Sequence, residues 1–151
     1  LMNLEQEIKQ KAFRSEQSKL IVNLIYTYNQ LKSRIATVLK NEGITMQQYN
    51  DLRIVNGSGE EGITTSEIRE RMLDKMSDAS RMVDRLEAMQ LVVKRRDRDD
   101  RRVIHVFLTE KGQRLVFRLM EQETIDQLAN GVKEESAQQL NKLLDAFRAS
   151  L

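Results

Sequence analysis

The sequence predicts a mainly α-helical chain with one small β-wing, and three observations carry that expectation. Apolar residues recur at spacings of three and four through most of the chain. Two strand-like runs, Leu91 to Arg96 and Val103 to Leu108, flank a tip with no apolar residue, Asp97-Arg98-Asp99-Asp100-Arg101-Arg102. Just ahead of them, the capping-box pattern Thr64-x-x-Glu67 opens a short helix that leads into a longer one.

Taken in order, the first helix is expected from near Leu4 to about Lys40, with room for an interruption before Ser18. Leu20, Leu24, Tyr28, Leu31, Ile35 and Val38 form its stripe, widened by Ile21, Ile25 and Leu39, which reads as a central core helix with part of the stripe free to face a partner subunit. Gly43 is placed for a left-handed cap. Thr45 then caps a second helix through about Val55, with Tyr49, Leu52 and Val55 turned inward. The stretch Asn56-Gly57-Ser58-Gly59-Glu60-Glu61-Gly62 reads as a loop, because it lacks the lysine and the strand-to-helix setting of a nucleotide-binding loop.

The short helix from Thr64 ends near Met72, with Ile68, Met72 and Leu73 as its apolar edge. The next helix is expected from about Asp74 to Gln90, with Asp74 as N-cap or Ser77 if it starts a turn later. Met76, Ala79, Val83, Leu86 and Met89 make its inner face, while Ser77, Ser80, Arg81 and Asp84, with Arg85 at the edge, make a narrow polar outer face of the shape a DNA groove can receive. Two helices joined by a tight connection form a helix-turn-helix. The hairpin that follows makes it winged, and from Lys94 to Arg102 it carries six cations against three acids. Guanidinium groups on such a wing can enter a minor groove or pair with phosphates, although a solvated turn has the same composition. After the wing, Thr109 caps a helix carrying Leu115, Val116, Leu119, Met120, Ile125 and Leu128 to a stop at Asn130-Gly131. A last helix carries Ala137, Leu140, Leu144, Phe147 and Leu151.

The run Arg81-Met82-Val83-Asp84-Arg85-Leu86, then Leu91-Val92, Asp100-x-Arg102 and Leu108-Thr109-Glu110-Lys111-Gly112 resembles the core signature of the multiple antibiotic resistance regulator (MarR) family of winged helix-turn-helix transcription factors. The resemblance is specific from about Thr64 to Gly112 and architectural outside it. It implies a homodimer, with residues 1–42 and 113–151 as the helical dimerisation region and 44–112 as the DNA-binding lobe, and with Ile63 forming a short strand against the wing. It implies a sequence-specific regulator of double-stranded DNA, more often a repressor, on a two-fold symmetric site. Ser77, Ser80 and Arg81 would lie near base edges or phosphates, Arg85 on the backbone, and Asp100 would orient Arg102 toward the minor groove, with Arg98, Arg101 and Arg96 as weaker contacts. It also implies an effector pocket, often for aromatic or phenolic compounds. Phe13, Tyr26, Tyr28 and Tyr49 come from segments that would line it, and equally read as ordinary core aromatics. The family's usual glycine after the recognition helix is replaced by Gln90, which puts the wing angle in question.

Composition narrows the chemistry. The chain has 151 residues, a formal charge of +2, no proline and no cysteine. Disulfides, thiolate metal sites and cysteine nucleophiles are thereby excluded. One histidine, His105, sits among Val103, Ile104, Val106 and Phe107, where a strand-surface or core role is expected. No nucleophile has an identifiable base beside it, so neither an enzyme nor a cofactor is expected. No apolar run approaches the roughly 20 residues of a membrane span and no signal peptide is visible, which points to a cytoplasmic protein. Leu1 ahead of Met2 reads as a remnant before the natural start. The competing reading is a dimeric winged-helix module that docks a protein and reads no DNA sequence; the modest net charge and Gln90 are what it has in its favour.

Overall fold

The computed structural model describes residues 2–121 and 125–151, and the chain divides into two compact units, Leu1–Met46 and Gln47–Leu151. In the first, Asn3 and Gln6 form a capping box that opens α1 (Leu4–Glu7), and Ser15 caps α2 (Glu16–Lys40) through the backbone N–H of Ser18. The interruption allowed for before Ser18 is therefore present, with Lys9 in a left-handed conformation after α1. Lys19 Nζ lies 2.7 Å from Glu5 Oε1 and ties α2 to α1. Gly43, at φ +68°, turns the chain out of α2 as expected.

The core-helix expectation for α2 holds at Ile35 and Leu39, which are buried, and fails from Leu20 to Leu31. There Leu20, Ile21, Ile25, Tyr28 and Leu31 are all exposed. The periodicity reported an apolar face correctly, but periodicity cannot tell a face covered by its own chain from one left for another.

The second unit begins with α3 (Met46–Asn56), whose Tyr49, Leu52 and Val55 are buried as expected. A 3₁₀ turn, Gly59–Glu61, leads to β1 (Ile63–Thr64), then α4 (Thr65–Arg71), α5 (Ala79–Ala88), β2 (Val92–Arg96), β3 (Ile104–Leu108) and α6 (Glu110–Glu121). The sheet is antiparallel in the order β1-β3-β2, with Ile63 opposite Val106 and Val92 opposite Leu108. Its inner face and the apolar stripes of the helices meet in one core of Leu52, Ile63, Ile68, Val83, Leu86, Leu91, Val92, Val106 and Val116, all at most 2% exposed. Gly62, at φ +70°, lets the chain enter β1 where a Cβ would strike the Phe107 ring.

Three expectations about the helices are corrected. Leu73 is exposed rather than on the apolar edge of α4, because the helix ends at Arg71 and the chain turns outward after Met72. The helix after the wing, described as Glu110–Glu121, does not run to Asn130, because Leu128 sits in a separate 3₁₀ turn, Asp126–Ala129; residues 122–124 of the expected span lie outside the described residues. The last helix, α7 (Glu134–Ala149), buries none of its residues fully and stops before Leu151.

Among the described residues one core position is polar. Asp51 of α3 is 0% exposed and neither carboxylate oxygen has a hydrogen-bond partner. Burial alone pushes its pKa up to about 6. Below about pH 4 the carboxyl is protonated whether the chain is folded or not; as pH rises toward 6 the unfolded chain gives up the proton first, so folding stability falls. A shift of this size corresponds to about 3 kcal/mol lost by pH 7. Urea unfolding between pH 4.5 and 7 is expected to show that decline, and Asp51→Asn is expected to flatten it; an equally steep decline in the variant would show that another group causes it.

Candidate nucleic-acid interface

The candidate interface is held by hydrogen bonds that run from α4 to the wing tip. Thr64 and Glu67 form the expected capping box, in which Thr64 N–H donates to Glu67 Oε2 at 2.9 Å and Glu67 N–H donates to Thr64 Oγ1 at 3.3 Å. Those bonds hold the Glu67 carboxyl below its ordinary pKa. After α4, the N–H of Leu73 donates to Asn50 Oδ1 of α3 at 3.1 Å. Asp74 then closes a turn: its Oδ1 accepts from Met76 N–H at 3.0 Å and its Oδ2 accepts from the Ser77 hydroxyl at 2.7 Å, bonds that keep its pKa low.

Because Asp74 is committed to that turn, neither it nor Ser77 caps α5. The cap is Asp78, whose Oδ1 accepts from Arg81 N–H at 3.2 Å. The helix expected from Asp74 to Gln90 accordingly spans Ala79–Ala88, with Ala79, Met82, Val83 and Leu86 buried. Ser77 lies in the turn rather than on the helix, and Met76, expected inside, is 94% exposed. Ser80, Arg81 and Arg85 are exposed on the helix, as the sequence placed them. Beside its N-terminus a groove of about 560 Å³ is lined by Thr65, Ser66, Arg69, Lys75, Met76, Ser77, Asp78, Ala79 and Ser80. Arg69, Lys75 and Thr65 were not singled out from the sequence; their only signal was two cations flanking the turn.

At the far end of α5 the missing glycine is answered by geometry. Gln90 itself takes the left-handed conformation, at φ +60°. Leu91 N–H donates to Leu86 O at 2.9 Å and Gln90 N–H to Glu87 O at 2.8 Å, the paired bonds of a Schellman ending. Three successive carbonyls then hold the return of the chain: Met89 O accepts from Lys111 Nζ at 2.8 Å, Gln90 O from the Thr109 hydroxyl at 2.7 Å, and Leu91 O from Thr109 N–H at 3.1 Å. A Cβ on Gly112 would lie 2.0 Å from that last oxygen, so only glycine fits. Thr109 Oγ1 also accepts from Gly112 N–H, which makes it the N-cap expected for α6.

The wing divides its charges by task. Lys94 Nζ lies 2.6 Å from Asp84 Oδ1 and 3.0 Å from Glu87 Oε2, and these carboxylates raise its pKa. Lys94 thus clamps β2 to α5 and leaves the cation excess counted from the sequence. Arg95 places its guanidinium 5.3 Å from the Phe107 ring centroid, and Arg96 donates to Arg101 O at 3.2 Å. At the tip, Asp97 Oδ1 accepts from the N–H groups of Asp100 and Asp99, at 3.0 and 2.8 Å, which lowers its pKa. His105, expected on the strand surface or in the core, is half-buried with Nε2 3.3 Å from Asp97 Oδ2. Asp100 Oδ1 accepts from the backbone N–H of Arg102 at 3.0 Å, so what it fixes is the chain that carries the guanidinium. Arg98, Arg101 and Arg102 remain exposed. Asp97, the organiser of this tip, was read in the sequence only as charge; its signal is a side-chain acceptor two and three residues before backbone donors.

The four aromatic residues considered for an effector differ in exposure, and three of them belong to the first unit and Tyr49 to the second. Tyr26 lines a groove of about 470 Å³ within the first unit, beside Glu7, Lys19 and Gln30, and its hydroxyl pKa is raised by a hydrogen bond to Glu7. Tyr28 is half-exposed on α2, Phe13 is partly exposed ahead of it, and Tyr49 is buried in α3. Among the described residues no group of three or more His, Cys, Asp or Glu is placed to hold a metal ion, and no helix is long and apolar enough to cross a membrane.

Comparison with known proteins adds three findings. The family described as transcriptional regulator SarA/Rot matches residues 30–119. The transcriptional repressor MdtR of Bacillus subtilis is 30% identical over 95 residues, which are 63% of this chain and 60% of that protein. Among solved structures, the MepR–DNA complex of S. aureus superposes with a TM-score of 0.69 at 23% identity, covering 88% of this chain and 97% of that one. The organohalide-sensing regulator RdhR in its 2,4-dichlorophenol-bound form gives 0.77 at 20% identity, covering 99% and 89%. At these identities the structures establish the shared fold.

The left-handed Gln90 carries a cost that glycine would avoid. Gln90→Gly is expected to stabilise the protein by about 1 kcal/mol, seen as a rise of roughly 2–4 °C in Tm. An unchanged or lower Tm would mean that the Gln90 side chain contributes contacts that outweigh its backbone strain.

Proposed function

Because the chain belongs to the SarA/Rot family of transcriptional regulators, we propose that it binds double-stranded DNA sequence-specifically as a homodimer and acts as a repressor. The observation that carries this reading is the wing tip, where Asp97 and Asp100 are turned onto backbone N–H groups while Arg98, Arg101 and Arg102 are left outward. In this reading α5 enters the major groove, with Ser80 and Arg81 near base edges, Ser77 and Arg85 on the phosphates, and the wing arginines at the adjacent minor groove. A tip already ordered by its own hydrogen bonds loses less freedom on binding than a floppy one. The MepR structure, solved with DNA, and the repressor MdtR support the assignment.

Dimerisation is supported by the apolar surface a single chain leaves open. Ile21, Ile25 and Leu31 on α2, Phe117 and Met120 on α6, and Leu140 and Leu143 on α7 are all exposed. Covering them with a second copy would give the two-fold symmetry that a symmetric DNA site requires. A small aromatic effector, of the class bound by RdhR, would release DNA only by binding the DNA-incompetent dimer more tightly than the competent one. Tyr26 is our first candidate to contact it.

Selection on randomised duplex DNA should return a two-fold symmetric site bound far more tightly than scrambled competitor. On that site Arg102→Ala is expected to weaken binding about tenfold and, by removing one cation per protomer, to reduce the salt slope of log K by about 2, with Tm unchanged. Equal affinity and equal slope in the variant would remove the wing from the interface. A protein that binds no duplex even in dilute salt would overturn the reading in favour of protein docking.

A further inference from the structure

We propose that Met76 is a specificity-determining residue that reads thymine, its side chain packing on the 5-methyl group of a thymine in the major groove. The inference rests on the DNA-binding reading and extends it to one base type.

Met76 is 94% exposed, more so even than Leu151 at the end of the chain at 91%. It is not a loose tip, because its own N–H is held by Asp74 Oδ1 at 3.0 Å and the next residue, Ser77, is held by the same carboxylate. The fold therefore presents a long apolar side chain in a fixed place. Around it the groove offers no apolar cover, since Ser77, Ala79 and Ser80 are small and Thr65 and Ser66 are polar. Two cations, Arg69 and Lys75, flank it, and the two acids beside it, Asp74 and Asp78, are both turned onto backbone N–H groups. An apolar probe in a small-walled groove bordered by cations matches a phosphate-rimmed surface better than an apolar protein patch.

The chemistry of the major groove then selects the occupant. Every base edge there presents donors or acceptors, and thymine alone adds a methyl group. A thioether side chain makes no hydrogen bond worth counting, so against cytosine or a purine it would strip water from polar atoms without replacing it. Against the thymine methyl it buries carbon on carbon. The flexibility of methionine lets the contact form without moving the turn.

The test uses the full-length protein and its selected duplex, with each thymine replaced singly by deoxyuridine, which removes the methyl and nothing else. The wild type is expected to lose about fourfold in affinity per half-site at one position and little elsewhere. Met76→Ala is expected to bind the thymine and uracil versions of that position equally, with unchanged Tm, since the side chain contributes no core packing. Arg102→Ala should weaken binding to both versions and keep their ratio. A wild type that prefers its site over scrambled DNA yet ignores every methyl would overturn the proposal while leaving DNA recognition intact. A Met76→Ala protein that keeps the full thymine preference would assign the methyl to another residue, with the same consequence. Failure to bind any duplex would overturn both readings together.

Discussion

The second unit depends on three consecutive carbonyl groups at the end of α5. Those of Met89, Gln90 and Leu91 accept from Lys111, from the Thr109 hydroxyl and from the Thr109 backbone in turn. Through them the helix, both wing strands and the start of α6 share one junction, and Gly112 lets the backbones approach closely enough to form it. The junction also explains how a residue other than glycine can hold the left-handed position after α5. Gln90 pays a local steric cost, and the bonds gathered around its carbonyl over-determine the geometry. A winged helix works as a reader only if helix and wing keep a constant angle, and here that angle is set by hydrogen bonds onto backbone carbonyls, two from side chains and one from the backbone.

Electrostatics completes what the backbone begins. The charges of the wing are of both signs, yet they do different work. Lys94 is drawn inward by Asp84 and Glu87 and fastens β2 to α5. Asp97 and Asp100 satisfy backbone donors that a tight turn would otherwise leave to water, and so stiffen the tip. What remains outward at the tip is Arg98, Arg101 and Arg102 against one acid, Asp99. A net charge of +2 over the whole chain conceals this separation, because net charge counts groups without regard to where they point.

The protein also carries destabilising features that its small core must absorb. Asp51 is buried without a partner, and large apolar residues on α2, α6 and α7 face solvent in the single chain. The second of these is relieved if two copies associate, since burial of such a surface is the main favourable term in association. The first is not relieved by anything among the described residues.

Much of the architecture was legible in the residues. The capping box at Thr64, the inward faces of α3 and α5, the two wing strands and the left-handed turn at Gly43 follow from local rules of capping, periodicity and alternation, which act over a few residues and so are written in the order of the chain. Ser80, Arg81, Arg85 and the tip arginines were placed on the outside for the same reason. What tertiary structure decided were choices among equivalent neighbours. Asp74 and Asp78 are both competent caps, and the turn leading out of α4 assigned one to itself and left the other for α5, shortening the helix and exposing Met76. Lys94 and Arg102 are both wing cations, and only the placement of Asp84 and Glu87 beside β2 made one a clamp. The exposure of the α2 stripe belongs to the same class, since an apolar periodicity states that a face must be covered and the rest of the fold determines by what.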